Sequence, residues 1–482
     1  MSDQAEIITF LSQTAEVQEE THISIIFLVG STAYKLKRAV RFPYVDYSTL
    51  ESRKKHCEAE LALNRRTAPE IYRRVRAITR TADGGLEFDG PGAPADYVLE
   101  MRRFSDHALF EDIIQAGQLT PALLRDLTDE IVAFHKIAET APGGGVVAMR
   151  AVIEGNAANL DGGCPPLSRE LVERVNDASF AALAAHAALL DRRASAGKIR
   201  RCHGDLHLRN IVLWQGRPVL FDAIEFSDAF SCIDILYDLA FLLMDLLHRG
   251  ERDAAAQVYN RYFDLTREAD GLPLLPLFIS MRAAIRAHVM LAQGRADEAQ
   301  AYLTLADEAL RPAAPCLLAI GGLSGTGKST LAAALAGNYP PMPGARVLRS
   351  DVLRKTLAGV APEVRLPESG YNPEMNRRVY AELYAEAEAA LTAGYSVILD
   401  AAFLRGEDRT AAEALGQRCS APFTGLWLEA PEALLAARLE ARGSDASDAG
   451  VEVMRRQRAA VAGEIGWARL DAAAPLVPQI VP

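Results

Sequence analysis

The chain has 482 residues, half of them apolar and 24% charged, too many for one comfortable core and too apolar for a disordered polymer. A net charge of -11 argues against nucleic acid or an anionic membrane surface as the main partner. Six cysteines, at 57, 164, 202, 232, 316 and 419, form no CxxC pair and do not cluster with histidine, which excludes an evident zinc site or disulfide framework.

MSDQAEIITF lacks a basic region before an apolar core, so no secretory leader is expected and a reducing cytoplasm is the simplest home. Two β-type runs, 23–29 and 33–40, flank a Gly30-Ser31-Thr32 turn. Ser48 with Glu51 reads as a capping box that starts a helix over 49–66. Further strands are expected at 71–79, 86–88 and 97–101, with a loop through 89–94. Helices follow from 105: Thr120-Pro121 caps one whose apolar face is Leu124, Leu127, Ile131 and Phe134, and another covers 167–195. A compact strand-and-loop region spans 199–226, and helices continue to about 310. The greasiest stretch, 235–247, is too short to cross a bilayer and carries Asp238 and Asp245. Residues 311–315, Arg-Pro-Ala-Ala-Pro, are the best linker. Beyond it strands at 316–321, 346–349, 396–400 and 424–428 alternate with helices, which predicts a parallel sheet covered on both faces. The predicted organisation is a domain over 1–310, with a small β-rich lobe (1–104) and a helical lobe (105–310), then an α/β domain over 316–482.

Two constellations carry chemistry. In the first domain Asp205 and Asn210 stand five apart in a loop, and a hairpin after them delivers Asp222. An aspartate that deprotonates a hydroxyl, with an asparagine and a second aspartate on Mg²⁺, suits phosphoryl transfer. In the second, Gly322-Leu-Ser324-Gly325-Thr326-Gly327-Lys328-Ser329, followed by Thr330, fits GxxxxGK[ST] without mismatch. Glycines let backbone N–H groups surround phosphate oxygens at a helix N-terminus, Lys328 reaches the β- and γ-phosphates, and Ser329 coordinates Mg²⁺. Asp400 ends an apolar strand, as a carboxylate near the metal does, or else it is a strand-end turn residue. Asp351 stands where a helix N-cap would, and Arg438 and Arg442 share one helical face, by pattern an ordinary solvated one.

The His203-Gly204-Asp205-Leu-His207-Leu-Arg-Asn210 loop resembles that of the protein-kinase-like superfamily, and the glycine after His203 resembles its aminoglycoside phosphotransferase and choline kinase branch. Tyr237-Asp238 and Ile131-Val-Ala-Phe-His135 resemble helix motifs of the same branch; His203 reads as structural and His207 is unassigned. The resemblance implies a strand lysine on the phosphates, Lys35 rather than Lys37, and a helix glutamate that fixes it. Glu58 and Glu60 lie about 80° to either side of the face through Leu50, Cys57 and Leu61, so geometry leaves both open; the family pattern favours Glu60. The single-glycine turn at 30 departs from the GxGxxG pattern that covers phosphates.

Residues 316–482 resemble small P-loop kinases of the polynucleotide and gluconate kinase type. In that resemblance Asp351 is the general base, Arg354 contacts the acceptor, and Arg438 and Arg442 are lid arginines on ATP. Together the motifs look like a bacterial aminoglycoside phosphotransferase-like domain fused to a P-loop kinase domain. The implied activity is ATP- and Mg²⁺-dependent transfer of the γ-phosphate to a hydroxyl of a small molecule, a sugar, amino-sugar or nucleoside-like compound. One alternative is an aminoglycoside-inactivating enzyme, whose acidic pocket Asp106, Glu111, Asp112, Asp228 and Asp234 could form. Another is an ATP-hydrolysing switch with one non-catalytic domain. A nucleic-acid 5′-end kinase would need a basic stripe with interleaved aromatics, which 350–390 lacks.

Overall fold

A computed structural model describes residues 3–42, 44–105, 107–162, 166–441 and 446–479. Asp106, Cys164 and Arg442 of the expectations above lie outside the described residues. The chain packs into two compact units, Met1–Ala151 with Ala187–Leu242, and Val152–His186 with Leu243–Pro482.

The first unit begins with α1 (Asp3–Ser12), β1 (Val17–Glu20), β2 (Ser24–Val29) and β3 (Thr32–Lys37). A small hairpin, β4 (Arg41–Phe42) with β5 (Val45–Asp46), and helix α2 (Leu50–Asn64) precede β6 (Tyr72–Arg80), β7 (Leu86–Phe88) and β8 (Pro94–Arg102). The strands form an antiparallel sheet ordered β1-β2-β3-β8-β6-β7. Neither α1 nor β1 was expected from the sequence. Ile7 and Leu11 of α1 bury against Ile25, Phe27, Leu36, Ile78 and Val98 on one face of the sheet. Alternation along β3 then turns Ala33, Lys35 and Lys37 to the opposite face.

Helix α2 meets that opposite face, and its inward stripe is polar. Its buried residues are Arg53, Cys57, Glu60, Leu63 and Asn64. Arg53 Nε pairs with the buried Asp96 carboxylate at 2.8 Å, and Asn64 Oδ1 accepts from Ala223 N at 2.8 Å. The expected Ser48 capping box is corrected here. Thr49 is the N-cap and accepts from Ser52 N, while the Ser48 hydroxyl is drawn to Asp46 Oδ1.

Helices α3 (Phe110–Gln115), α4 (Pro121–Ile137), α5 (Gly145–Asp161) and α6 (Arg169–Ser195) follow, then β9 (Ile199–Arg201), the hairpin β10 (Ile211–Trp214) with β11 (Arg217–Leu220), α7 (Asp228–Ser231), β12 (Cys232–Asp234) and α8 (Ile235–His248). Thr120 caps α4 by accepting from Leu123 N at 3.2 Å, with Pro121 in the first turn.

In the second unit α9 (Arg252–Thr266) is followed by α10 (Leu275–Ala292) and α11 (Ala296–Leu310). One helical stretch of the described residues, Ala269–Ala292, is apolar and long enough to cross a membrane, and 67% of its most apolar window is buried inside the protein. The strands β13 (Leu317–Gly322), β14 (Arg346–Arg349), β15 (Val397–Asp400), β16 (Phe423–Glu429) and β17 (Ala468–Asp471) form an all-parallel sheet ordered β14-β15-β13-β16-β17. Around it run α12 (Lys328–Ala336), α13 (Ser350–Leu357), α14 (Pro373–Thr392), α15 (Gly406–Arg418), α16 (Glu432–Ala441) and α17 (Val451–Ala460).

Helix α9 precedes the proline-rich 311–315 segment, yet it belongs to this sheet. Ala256 joins the core of Leu318, Ile320, Leu335, Val347 and Ile398. Asn260 treats β14 as a neighbouring strand would: Oδ1 accepts from Val347 N at 2.7 Å, and Nδ2 donates to Ala345 O at 3.0 Å. Buried Arg346 adds a bond to Asn260 Oδ1 and an ion pair with Asp264 at 2.5 Å.

Candidate functional site

The first constellation assembles on the polar face of the antiparallel sheet. Lys35 Nζ lies 2.8 Å from Glu60 Oε1 and 2.5 Å from Asp222 Oδ1. Glu58, the other candidate, is exposed and pairs with Lys54 at 3.7 Å. Burial alone would lower the Lys35 pKa; Asp222 and Glu60 outweigh it and raise it well above the usual lysine value. Burial likewise pushes Glu60 up, but Lys35 and Lys37 hold it at about 2. Asp222 has a φ of 63°, in the left-handed region. It lies two residues past the end of β11, and the backbone between is held by Phe221 N donating to Asn210 O at 3.0 Å. Such a conformation costs energy and persists only where surrounding contacts fix it.

The loop before the hairpin is tied down from below. Asp238 accepts from His203 N at 3.1 Å through Oδ2 and from Gly204 N at 2.8 Å through Oδ1, and His135 Nε2 lies 3.0 Å from the same Oδ2. His203 Nε2 donates to Phe221 O at 2.9 Å, and burial lowers its pKa, so it is a neutral structural ring. Gly204 has φ +83°, and a Cβ there would sit 2.8 Å from Phe230 O, so only glycine fits. Above this support, Asn210 Nδ2 donates to Asp205 Oδ2 at 2.8 Å. His207 Nε2 lies 3.3 Å from the same oxygen. Thus Asp205, Asn210, Asp222, Lys35 and Glu60 share one region, and the turn at Gly30 is a tight connection whose amide donates to Glu16 Oε1.

The second constellation sits where the parallel strands end. Register places Asp400 beside both Ile320 of β13 and Arg349 of β14, so β14 and β15 end at one level while β13 runs two residues further, to Gly322. Gly325 and Gly327 both take positive φ, 88° and 89°, as a loop folding its amides inward requires. Ser329 Oγ lies 2.6 Å from Asp400 Oδ2. Lys328 Nζ donates to Gly322 O and Leu323 O at 2.9 and 3.0 Å. A pocket of about 460 Å³ is lined by Ser324 through Thr330, Asp351, Asp400 and Arg438.

Asp351 is not the N-cap of α13: Arg349 is, and Asp351 stands in the first turn. Arg354 is not among the pocket-lining residues. Its guanidinium lies over the Tyr371 ring at 5.0 Å and donates weakly to Gly370 O at 3.3 Å. Arg438 is part of the wall and donates to Ala472 O at 2.8 Å.

Sequence reasoning did not single out several neighbours. Gln457 of α17 accepts from the phosphate-loop amide Ser324 N at 2.9 Å. The fully buried Lys355 pairs with Asp448 at 2.9 Å, and Asp448 also accepts from Tyr371 and Leu366 N. Residues Ala472, Ala474, Leu476 and Val477 close one side of the pocket. None of these has a local motif; they arrive from segments remote in sequence. At the first site the missed members are Tyr47 and Glu225, while Lys37, the lysine passed over in favour of Lys35, pairs with Glu60 and Glu225.

Two family models match separate parts of the chain. Residues 110–272 match a family model described as the phosphotransferase enzyme family, and 317–463 match one described as an AAA domain. An "uncharacterized protein" of Mycobacterium tuberculosis (strain ATCC 25618 / H37Rv) is 30% identical over 475 residues, 95% of this chain and 92% of that protein. Among solved structures, a gluconokinase from Sinorhizobium meliloti 1021 is 20% identical, with a TM-score of 0.24 over 34% of this chain and 87% of its own. A thermostable mutant of an aminoglycoside phosphotransferase is 14% identical, with a TM-score of 0.39 over 61% of this chain and 93% of its own.

Proposed function

This chain belongs to the family that joins a phosphotransferase-enzyme domain to a P-loop AAA domain in one polypeptide, and from that premise we propose that it moves the γ-phosphate of ATP to a hydroxyl of a small molecule. The acceptor class we favour is a sugar, amino-sugar or nucleoside-like compound. The observation that carries the reading is that Asp351 lines the same pocket as Lys328, Ser329 and Asp400. A module that only binds nucleotide needs no base beside its phosphate loop.

In this reading Asp351 accepts the proton of the acceptor hydroxyl as its oxygen bonds to the γ-phosphorus. The bond from that phosphorus to the β–γ bridging oxygen breaks, and ADP leaves with the electron pair. Lys328 and backbone amides of the phosphate loop would face the growing negative charge. Mg²⁺, for which Ser329 and Asp400 supply oxygen ligands, would add charge neutralisation. At the first site Asp205 would take the proton, Lys35 would bind phosphate, and Asn210 and Asp222 would be the residues to hold the metal. The five described cysteines are free, which supports placing the protein in a reducing compartment.

The test is γ-phosphate transfer from Mg-ATP to a panel of sugars, aminoglycosides, nucleosides and 5′-hydroxyl oligonucleotides. Wild type, Asp205→Ala and Lys328→Ala are run side by side. Labelling of one acceptor class that a single variant removes is the expected outcome and assigns that class to that site. If no acceptor is labelled and Lys328→Ala abolishes a basal hydrolysis that acceptors never accelerate, the phosphotransferase reading fails in favour of a nucleotide-driven switch.

A further inference from the structure

We propose that Lys37 is a positioning residue of the first site: it fixes Glu60 and Glu225 so that Lys35 and Asp222 stand ready for a nucleotide triphosphate and its metal. The proposal rests on reading that site as a phosphoryl-transfer site.

The geometry is a closed chain of alternating charges. Glu60 gives one carboxylate oxygen to each lysine, Oε1 to Lys35 at 2.8 Å and Oε2 to Lys37 at 2.6 Å. Lys37 Nζ then reaches Glu225 Oε1 at 2.5 Å, and the Tyr47 hydroxyl donates to that same oxygen at 2.8 Å. Glu225 follows Asp222 by three residues, so the far end of the chain returns to the metal-ligand candidate. Lys37 is 1% exposed and Glu60 fully buried, whereas the Asp222 side chain is 40% exposed. The inner members are therefore fixed and the outer one meets solvent.

This division fits what binding would require. A phosphate at Lys35 and a metal at Asp222 each compete with the Lys35–Asp222 contact, and Lys35 would then keep only Glu60. A carboxylate with a single partner can swing on its χ angles. Glu60 cannot, because Lys37 holds its second oxygen. Lys37 also ties the 222–225 segment to β3, which opposes relaxation of the left-handed Asp222 backbone. Lys37 itself touches neither reactant in this scheme; it acts through Glu60 and Glu225. A plain packing role would need no lysine at all, since a buried ion pair is often replaceable by well-packed apolar groups.

The experiment measures Mg-ATP binding by titration calorimetry in full-length protein carrying Lys328→Ala, which silences the phosphate loop. Lys37→Met alone leaves two buried carboxylates short of a cation and is expected to melt early. Lys37→Met with Glu225→Gln removes one charge of each sign and is expected to melt near the parent. If Lys37 positions the site, the double variant binds Mg-ATP about tenfold more weakly, the size of effect outer-shell partners have on bound metals. Parental affinity in a double variant of parental stability overturns the proposal, because Lys37 would then only balance charge. Should the double variant not fold, Tyr47→Phe carries the test. Loss of its bond to Glu225 is expected to weaken binding about threefold, and unchanged affinity overturns the proposal. If the Lys328→Ala parent binds no Mg-ATP, or Asp222→Asn leaves its Mg²⁺ dependence intact, the first-site reading itself has failed and takes this proposal with it.

Discussion

Glu60 is a carboxylate buried completely between two lysines, and its ionisation is part of the fold. Burial would raise its pKa above the ordinary 4.5, but Lys35 and Lys37 prevail and hold it at about 2. Its folded value thus lies below its unfolded one. The stability it contributes is complete above pH 4.5 and is lost as pH falls through that range toward 2. Glu60→Gln removes this titration. The stability difference between wild type and Glu60→Gln, read by urea unfolding at a series of pH values, should be largest above 4.5 and shrink toward 2. A difference that stays constant across that window would mean the carboxylate is not held by the lysines. Cys57, one turn before Glu60 on the same buried stripe, is pushed up to about 12 by burial and should resist alkylation in the native protein.

Elements carry their own lesson, because the sites depend on helices whose inward faces are polar. The phosphate loop, the parallel alternation and the Asp205–Asn210–Asp222 spacing were legible in the sequence, since each is local and each has a fixed chemical reason. The buried stripe of α2 was not, because apolar periodicity pointed to Leu50, Cys57 and Leu61 while the sheet drew in Arg53, Glu60 and Asn64, each to its own partner. Helix α1 escaped for the related reason that its short apolar face, Ile7 and Leu11, only makes sense once the sheet is present. The role of α9 is the same kind of fact. Asn260 satisfies a donor on β14 and an acceptor on the residue just before it, at the edge strand that leads directly into α13 and Asp351. Asn260→Ala leaves Val347 N and Ala345 O buried without those partners, at a cost of about 2–3 kcal/mol. Urea unfolding of the second unit should show that loss, and transfer that depends on Lys328 should fall with it because Asp351 hangs from the same strand. An unchanged unfolding midpoint would show that β14 does not need its helical neighbour.

At the scale of the molecule, the two units do not follow one another along the chain. The second takes Val152–His186 as well as Leu243–Pro482, so the polypeptide passes between units after Ala151, His186 and Leu242. The proline-rich 311–315 segment falls inside the second unit, although composition alone marks it as the natural place to cut. A fragment of 316–482 would keep the phosphate loop, the parallel sheet and every residue of the nucleotide pocket. It would lose Ala256 from the sheet core and Asn260 from the edge of β14, and Arg346 would lose its partner Asp264 and keep only the Glu386 carboxylate at 3.9 Å. An uncovered strand edge beside an opened apolar core invites association. The expected outcome is that 316–482 elutes as aggregate or melts without cooperativity, while 243–482, which retains α9, is better behaved by size-exclusion chromatography and circular dichroism. A monomeric 316–482 with the melting temperature of 243–482 would show that the sheet completes itself without α9. The same reasoning decides how coupling between the two candidate sites should be sought. Cutting at 311–315 would damage the second site for reasons unrelated to coupling, so intact chains must be compared. If one site consumes what the other makes, an equimolar mixture of Asp205→Ala and Lys328→Ala chains should form final product more slowly than wild type with the same concentration of each working site. Equal rates would mean that the two centres gain nothing from sharing a chain.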